Sequence, residues 1–236
     1  MLNKEKHNLT MGRIIKEIYN NKALAPLLGF KGGTCAYYFY GLPRFSVDLD
    51  FDLLKTDEIT QKKVFEEVEK ILITHGVIKD KIIKFFTIWF LLSYSKEDHN
   101  IKVEISTRRP EININEYYEF KELLGTPVLI PKQDYMFANK LVALVDRKNL
   151  VIRDVFDIHF FASQDWDIDK NIVELKTGKK FKEYLQDCIE TIEDIKGNEL
   201  LSGIGELIDE KQKLWVKNSL KKETIFQLRL RANVEE

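Results

Sequence analysis

Residues 44–52 read Arg-Phe-Ser-Val-Asp-Leu-Asp-Phe-Asp, with apolar residues at every odd position from Phe45 to Phe51 and polar ones at every even position. That alternation is the two-residue period of a strand with one face in a core, so the other face carries Asp48, Asp50 and Asp52 side by side. Carboxylates two residues apart on a strand stand roughly 6.7 Å apart at Cα. They repel one another unless a cation lies among them, and that spacing lets them converge on one hard cation or bracket a pair. Upstream, Gly32-Gly33-Thr34 stands between a short apolar segment and an aromatic run of helical spacing, where exposed backbone N–H groups could receive a phosphate. A phosphate cradle followed by paired aspartates implies metal-dependent nucleotide chemistry.

Ile101–Ser106 alternates in the same way and puts Lys102, Glu104 and Ser106 on one face. If this strand lies beside the first, Glu104 joins Asp48 and Asp50 as a third carboxylate, the donor set that two-metal phosphoryl transfer uses with magnesium. Asp52, at the strand end, suits surface exposure as well as ligation. In Asn139–Arg147, Lys140, Leu144 and Arg147 fall at i, i+4 and i+7 of a helix, so Lys140 and Arg147 share a face. Asp154 and Asp157 lie at i and i+3 of the next helix. Lys140 is placed to meet a triphosphate, while Arg147 and Asp154 could pair to hold the two helices in register.

Taken in order, Gly-Gly-Thr, Arg-Phe-Ser-Val-Asp-Leu-Asp-Phe, Lys-Val-Glu-Ile, Lys-Leu-Val-Ala-Leu-Val-Asp-Arg and Arg-Asp-Val-Phe-Asp resemble the AbiEii family of nucleotidyltransferase-like proteins. These are toxin halves of abortive-infection and type IV toxin–antitoxin systems, and the MenT toxins are related to them. The resemblance covers residues 28–160. It implies an α/β (α+β) fold: a polymerase-β-like nucleotidyltransferase domain with a mixed sheet, followed by a helical C-terminal domain. It further implies that Gly32, Gly33 and Thr34, with Ser46, hold the nucleotide phosphates, that Asp48 and Asp50 hold the metal, and that Glu104 fills the third carboxylate position. Lys140 would take the triphosphate, and Asp157 matches the last acid of the third motif as a nucleotide-binding position. Asp187 is a candidate for the degenerate fourth motif. Two magnesium ions and an NTP substrate follow, with transfer of a nucleoside monophosphate to a hydroxyl on RNA such as tRNA, and an antitoxin encoded by a neighbouring gene. Two other readings stay open: nucleotidylation of a small molecule, and an NTP-binding regulatory protein without turnover.

Composition limits the alternatives. The 236-residue chain balances 37 basic against 38 acidic residues, so any affinity for nucleic acid must be local rather than global. The one basic excess runs from 211 onwards, through Lys211, Lys213, Lys217, Lys221, Lys222, Arg229 and Arg231; it is either a solvated helix face or a track for an RNA backbone. Cys35 and Cys188 form neither a zinc motif nor a disulfide framework. The charged N-terminus lacks the apolar stretch of a signal peptide, and Phe85–Leu92 is too short to span a bilayer, so a cytoplasmic protein without membrane contact is expected. No histidine has catalytic spacing; His159, among Ile158, Phe160 and Phe161, reads as a core residue.

Periodicity predicts helices over 11–24, 34–40 and 59–75, strands over 27–31 and from 44 to 53, and a hairpin of 85–94 with 101–107. Residues 110–125 read as irregular and 126–131 as an extended connection. Beyond Pro131 only helical patterns appear, at 132–147, 152–163, 169–175, 179–195 and 206–220. The expected division is therefore an α/β domain over 1–131 and a helical domain over 132–236.

Overall fold

The computed structural model describes residues 3–97, 99–108, 113–147 and 150–233. The chain separates into two compact units, Met1–Gly41 with Phe45–Lys132, and Leu42–Arg44 with Gln133–Glu236. The first is mixed α/β and the second helical.

In the first unit, α1 (Lys4–Asn20) starts where the Asn3 side chain accepts a hydrogen bond from the Lys6 N–H at 3.1 Å, satisfying a donor that the helix itself leaves orphaned. Met11, Ile14, Ile15 and Ile18 form its buried stripe. The helix begins well before residue 11 because its first turns need no apolar repeat: His7 is buried there, with its ring nitrogens 2.8 Å from Tyr94 Oη and 2.9 Å from the Val47 carbonyl.

Five strands, β1 (Leu28–Lys31), β2 (Leu49–Leu53), β3 (Val77–Lys84), β4 (Thr87–Ser93) and β5 (Ile101–Ser106), form one sheet of order β1-β2-β5-β4-β3. β2 and β5 run parallel and every other neighbouring pair antiparallel. The hairpin of β4 and β5 thus sets the second charged strand directly beside the first. β2 is shorter than the alternation suggested. Phe45–Asp48 lie outside the ladder, and the Asp48 carbonyl bonds to the Thr34 hydroxyl instead. β3 falls where no strand was expected, because it is the outermost strand and is exposed along almost its whole length; an alternating pattern arises only where one face is buried.

Two helices cover this sheet. α2 (Gly32–Tyr40) packs on β1 and β2, and α3 (Glu58–His75) packs on β3, β4 and α1. Phe65 of α3 stacks on Phe90 of β4 at 4.9 Å between centroids. After a single helical turn, α4 (Ile114–Tyr117), residues expected to be irregular form β6 (Tyr118–Leu123), which pairs with β7 (Thr126–Pro131). Leu124 and Gly125 join them with φ of 50° and 76°, the pair of left-handed residues that a two-residue hairpin turn requires. β7 lies against β1 and α1, where the Tyr19 hydroxyl accepts from the Phe30 N–H at 2.9 Å and bonds the Leu129 carbonyl at 3.0 Å.

In the second unit, α5 (Gln133–Asp146) packs on α6 (Ile152–Ser163), α7 (Lys170–Thr177) and α8 (Phe181–Glu193). α9 (Glu210–Trp215) continues through a π-helical segment at Val216–Leu220 into α10 (Lys221–Asn233), which packs on α6 and α8. The helix therefore runs past the expected end at 220. The wider turn shifts the buried face, so a 3.6-residue repeat followed from 206 loses phase there. No described helix is long and apolar enough to cross a membrane.

Gly76 joins α3 to β3 at a close backbone approach. A Cβ there would fall 2.3 Å from the Ser93 carbonyl oxygen and 2.8 Å from the Tyr94 Cα, and neither backbone atom can swing aside. Gly76→Ala should lower stability by about 1–3 kcal/mol, measured as a fall in the urea midpoint at unchanged m-value.

Candidate active site

Strand register fixes the acids. Asp50 of β2 sits level with Lys31 of β1 on one side and Glu104 of β5 on the other, each about 4.8 Å away at the backbone. Asp48 precedes the ladder, and its position is set by a small polar knot: the buried Thr34 hydroxyl lies 2.8 Å from Ser46 Oγ and bonds the Asp48 carbonyl. Thr34 and Ser46, both expected at the phosphates, thus have their hydroxyls engaged with each other and with the backbone of an acid.

Gly32 opens α2 with φ of 79°, and a Cβ there would lie 2.7 Å from Asp50 Oδ2. Only glycine lets the carboxylate sit so close to the helix start. Lys31, the N-cap residue, makes no side-chain capping bond, so the first-turn N–H groups at Gly33 and Thr34 have no side-chain cap, which is the usual setting for an anion at a helix N-terminus.

The electrostatics are uneven across the four acids. Lys31 Nζ stands 2.6 Å from Asp52 Oδ1, and the Tyr118 hydroxyl donates to the other oxygen at 2.7 Å; Asp52 is accordingly a salt-bridge partner. Lys102 Nζ lies 2.9 Å from Glu104 Oε2. Among the described residues, Asp48 and Asp50 have neither a hydrogen bond nor an ion pair on their carboxylates. Burial, then the charge of Asp48, pushes the Asp50 carboxyl up to about 6. Among the described residues no three acidic, histidine or cysteine side chains form a ready-made metal cage. The bare pair, with the space left by Gly32, nonetheless fits a magnesium ion, which takes one or two carboxylates and completes its shell with water and substrate phosphates.

Lys140 and Asp157 belong to the second unit. Asp157 is fully buried and receives two bonds from the Arg44 guanidinium, at 2.6 and 2.7 Å. Lys140 Nζ reaches Asp154 at 2.8 Å and Asp157 at 3.0 Å, and Arg147 pairs with Asp154 at 3.2 Å. Burial works against the charge on Asp157, but Arg44 and then Lys140 outweigh it and hold the carboxyl below its ordinary range. Burial likewise opposes the charge on Lys140, and Asp154 and Asp157 restore it. Among the described residues the cluster sets three cations, Arg44, Lys140 and Arg147, against two carboxylates, Asp154 and Asp157. Arg44 was missed in the sequence because it opens the alternating segment and reads there as one more polar strand residue. Asp187 pairs with Lys179 at 2.7 Å on α8, and His159 sits against Trp215 with Glu223 3.2 Å from its ring.

The basic stretch is largely used inside the second unit. Lys221 donates to the carbonyls of Glu193 and Ile195, Arg229 pairs with Glu193, and Arg231 donates to the Ala162 carbonyl. These contacts dock α10, and only Lys211, Lys217 and Lys222 lack partners among the described residues.

Residues 13–224 match the family described as nucleotidyl transferase AbiEii toxin, type IV TA system. The chain belongs to that family of nucleotidyltransferase toxins. It is similar in fold to an H. pylori protein of proposed nucleotidyltransferase activity, at 24% identity and a TM-score of 0.59 over 98% of this chain and 93% of that one. JHP933 from Helicobacter pylori superposes at 22% identity and 0.57, over 99% and 97%. MenT4, a nucleotidyltransferase toxin from Mycobacterium tuberculosis, superposes at 16% and 0.56, over 99% and 88%. No curated protein matches the chain in sequence. Membership makes the chain a nucleotidyltransferase with an NTP as substrate, and the mixed sheet with its helical partner unit is the fold of these relatives.

Two outcomes follow for stability. An unfolded aspartate titrates near 3.9, so between about pH 4 and 6 folded Asp50 keeps a proton that the unfolded chain has lost, and its contribution to stability falls as pH rises. Asp50→Asn should remove that decline and match or exceed wild type at pH 7 without divalent ions, as read from the difference between urea denaturation curves over pH 4–7. Asp157 has the opposite sign, stabilising above its unfolded pKa and losing that contribution on acidification. Asp157→Ala should cost about 3–5 kcal/mol at pH 7, since it removes the buried carboxylate that receives two bonds from Arg44 and one from Lys140, measured by the same denaturation.

Proposed function

We propose that the chain transfers a nucleoside monophosphate from an NTP to a hydroxyl of an RNA acceptor such as tRNA, in the cytoplasm, as the toxin of a pair whose antitoxin is encoded next to it. The observation that carries this reading is the bare Asp48–Asp50 pair beside an uncapped helix start opened by Gly32. Asp48 and Asp50 would hold magnesium, with Glu104 the third acid of a two-ion site. When bound, the ions neutralise charge on the transferring phosphoryl group and lower the pKa of the attacking hydroxyl.

The chain's own residues do the positioning. Gly33 and Thr34 offer backbone N–H groups to phosphate oxygens at the start of α2, and Gly32 leaves the space for them beside Asp50. Thr34 and Ser46 act one step back, holding the backbone of Asp48 so that the carboxylate meets its ion without searching. In the second unit, Lys140 keeps its charge between Asp154 and Asp157 and is the residue the family resemblance gives to the triphosphate. The RNA acceptor is supported by family resemblance rather than by a basic surface, since most of the C-terminal cations are already engaged.

Incubating the purified chain with total RNA and each α-labelled NTP tests the reading. Label should enter RNA with one preferred NTP, and Asp48→Asn should cut the rate at least ~100-fold, because ion stabilisation of the transition state is worth several kcal/mol. Label on a small molecule instead of RNA, or NTP binding without pyrophosphate release, would replace this proposal with one of the other two readings.

A further inference from the structure

The four acids of the β2–β5 face divide into two kinds. The outer two each hold an ammonium group: Lys31 on Asp52 at 2.6 Å and Lys102 on Glu104 at 2.9 Å. The inner two, Asp48 and Asp50, hold none among the described residues. Lys102 and Glu104 lie at i and i+2 on the same face of β5, and the register Leu49↔Val103 and Asp50↔Glu104 brings Lys102 to the level of the chain just ahead of Leu49. Its charge accordingly acts on Asp48 and Asp50 as well as on Glu104. Among the described residues, no bond other than that to Glu104 fixes the Lys102 ammonium, and both side chains of the pair are more than a third exposed. A pair so open to water is weak and readily exchanged.

We propose that Lys102 is the resident counter-ion of the acid cluster: it occupies Glu104 in the nucleotide-free protein, so that a divalent cation arriving alone finds only Asp48 and Asp50. This rests on the metal site proposed above and deepens it. Two effects act together. The ammonium withholds one of three carboxylates, and its positive charge repels a second cation a few ångströms away. An ion bound by two carboxylates is left short of ligands that a triphosphate can supply, so cation and nucleotide reinforce each other's binding. The two outer acids also differ: Asp52 is bound by both Lys31 and Tyr118, whereas Glu104 is held by one flexible side chain and can be released.

The test is equilibrium binding of Mn2+, as the probe, to the nucleotide-free full chain at low ionic strength. Lys102→Met keeps the stem and removes the charge; it should bind Mn2+ at least ~10-fold more tightly than wild type, and adding Glu104→Gln should abolish that gain. Lys102→Gln should show the same gain, so the test stands even if Lys102→Met fails to fold. Equal affinity in wild type and the Lys102 variants, or a gain that survives Glu104→Gln, would each overturn the inference. If wild type and Asp48→Asn bind Mn2+ equally, the metal site itself is overturned, and the inference with it.

Discussion

Asp48 and Asp50 stand at the entry to β2 with nothing bonded to their carboxylates among the described residues, and much of the first unit's local architecture holds them there against their own repulsion. Parallel pairing with β5 and antiparallel pairing with β1 lock the level of Asp50. Thr34 closes the polar knot that fixes Asp48 before the ladder begins. Gly32 takes the left-handed backbone that lets α2 start beside the carboxylate. The cost of gathering like charges is met by the large apolar residues on the opposite face of the strand, Leu49, Phe51 and Leu53, all fully buried. Strain of this kind at a site, offset by packing elsewhere, is what a functional surface looks like in energetic terms.

The second unit solves a different electrostatic problem. Asp157 lies where water cannot reach it, and a lone carboxylate there would be neutralised by taking up a proton. Arg44 meets it with both branches of a planar fork, a geometry that a lysine cannot reproduce. Leu42–Arg44 belong to this unit although they lie in sequence between α2 and β2 of the other. The residues that carry Arg44 are therefore separated from Asp48 by three positions of chain and from their own unit's helices by almost ninety.

What was legible in the sequence is what a buried face writes there. β2 and β5 alternate because one side of each is core, and their neighbouring positions brought Glu104 beside Asp50 as the spacing suggested. α5 and α6 show their apolar stripes for the same reason. β3 and β6 were invisible because burial imposes almost no pattern on them. The short β2 was misjudged because alternation continues through Phe45–Asp48 while the hydrogen bonds do not. Arg147 with Asp154 was legible from helical spacing and pairs at 3.2 Å, whereas Arg44 with Asp157 and Lys140 with Asp154 follow no local period. Lys102 with Glu104 was within reach, being two residues apart on one face.

The outermost strand carries a consequence of another kind. β3 ends a sheet with its far edge unpaired among the described residues, and Ile82, Ile83, Phe85 and Phe86 stand exposed on it and on its turn. Such an edge is a template for pairing with another chain. Lys79, Lys81 and Lys84 are spread along it, and two copies meeting edge to edge would bring these ammonium groups together. Charge at a place remote from the acids of β2 thus opposes edge-to-edge pairing, and salt that screens lysine from lysine weakens that protection.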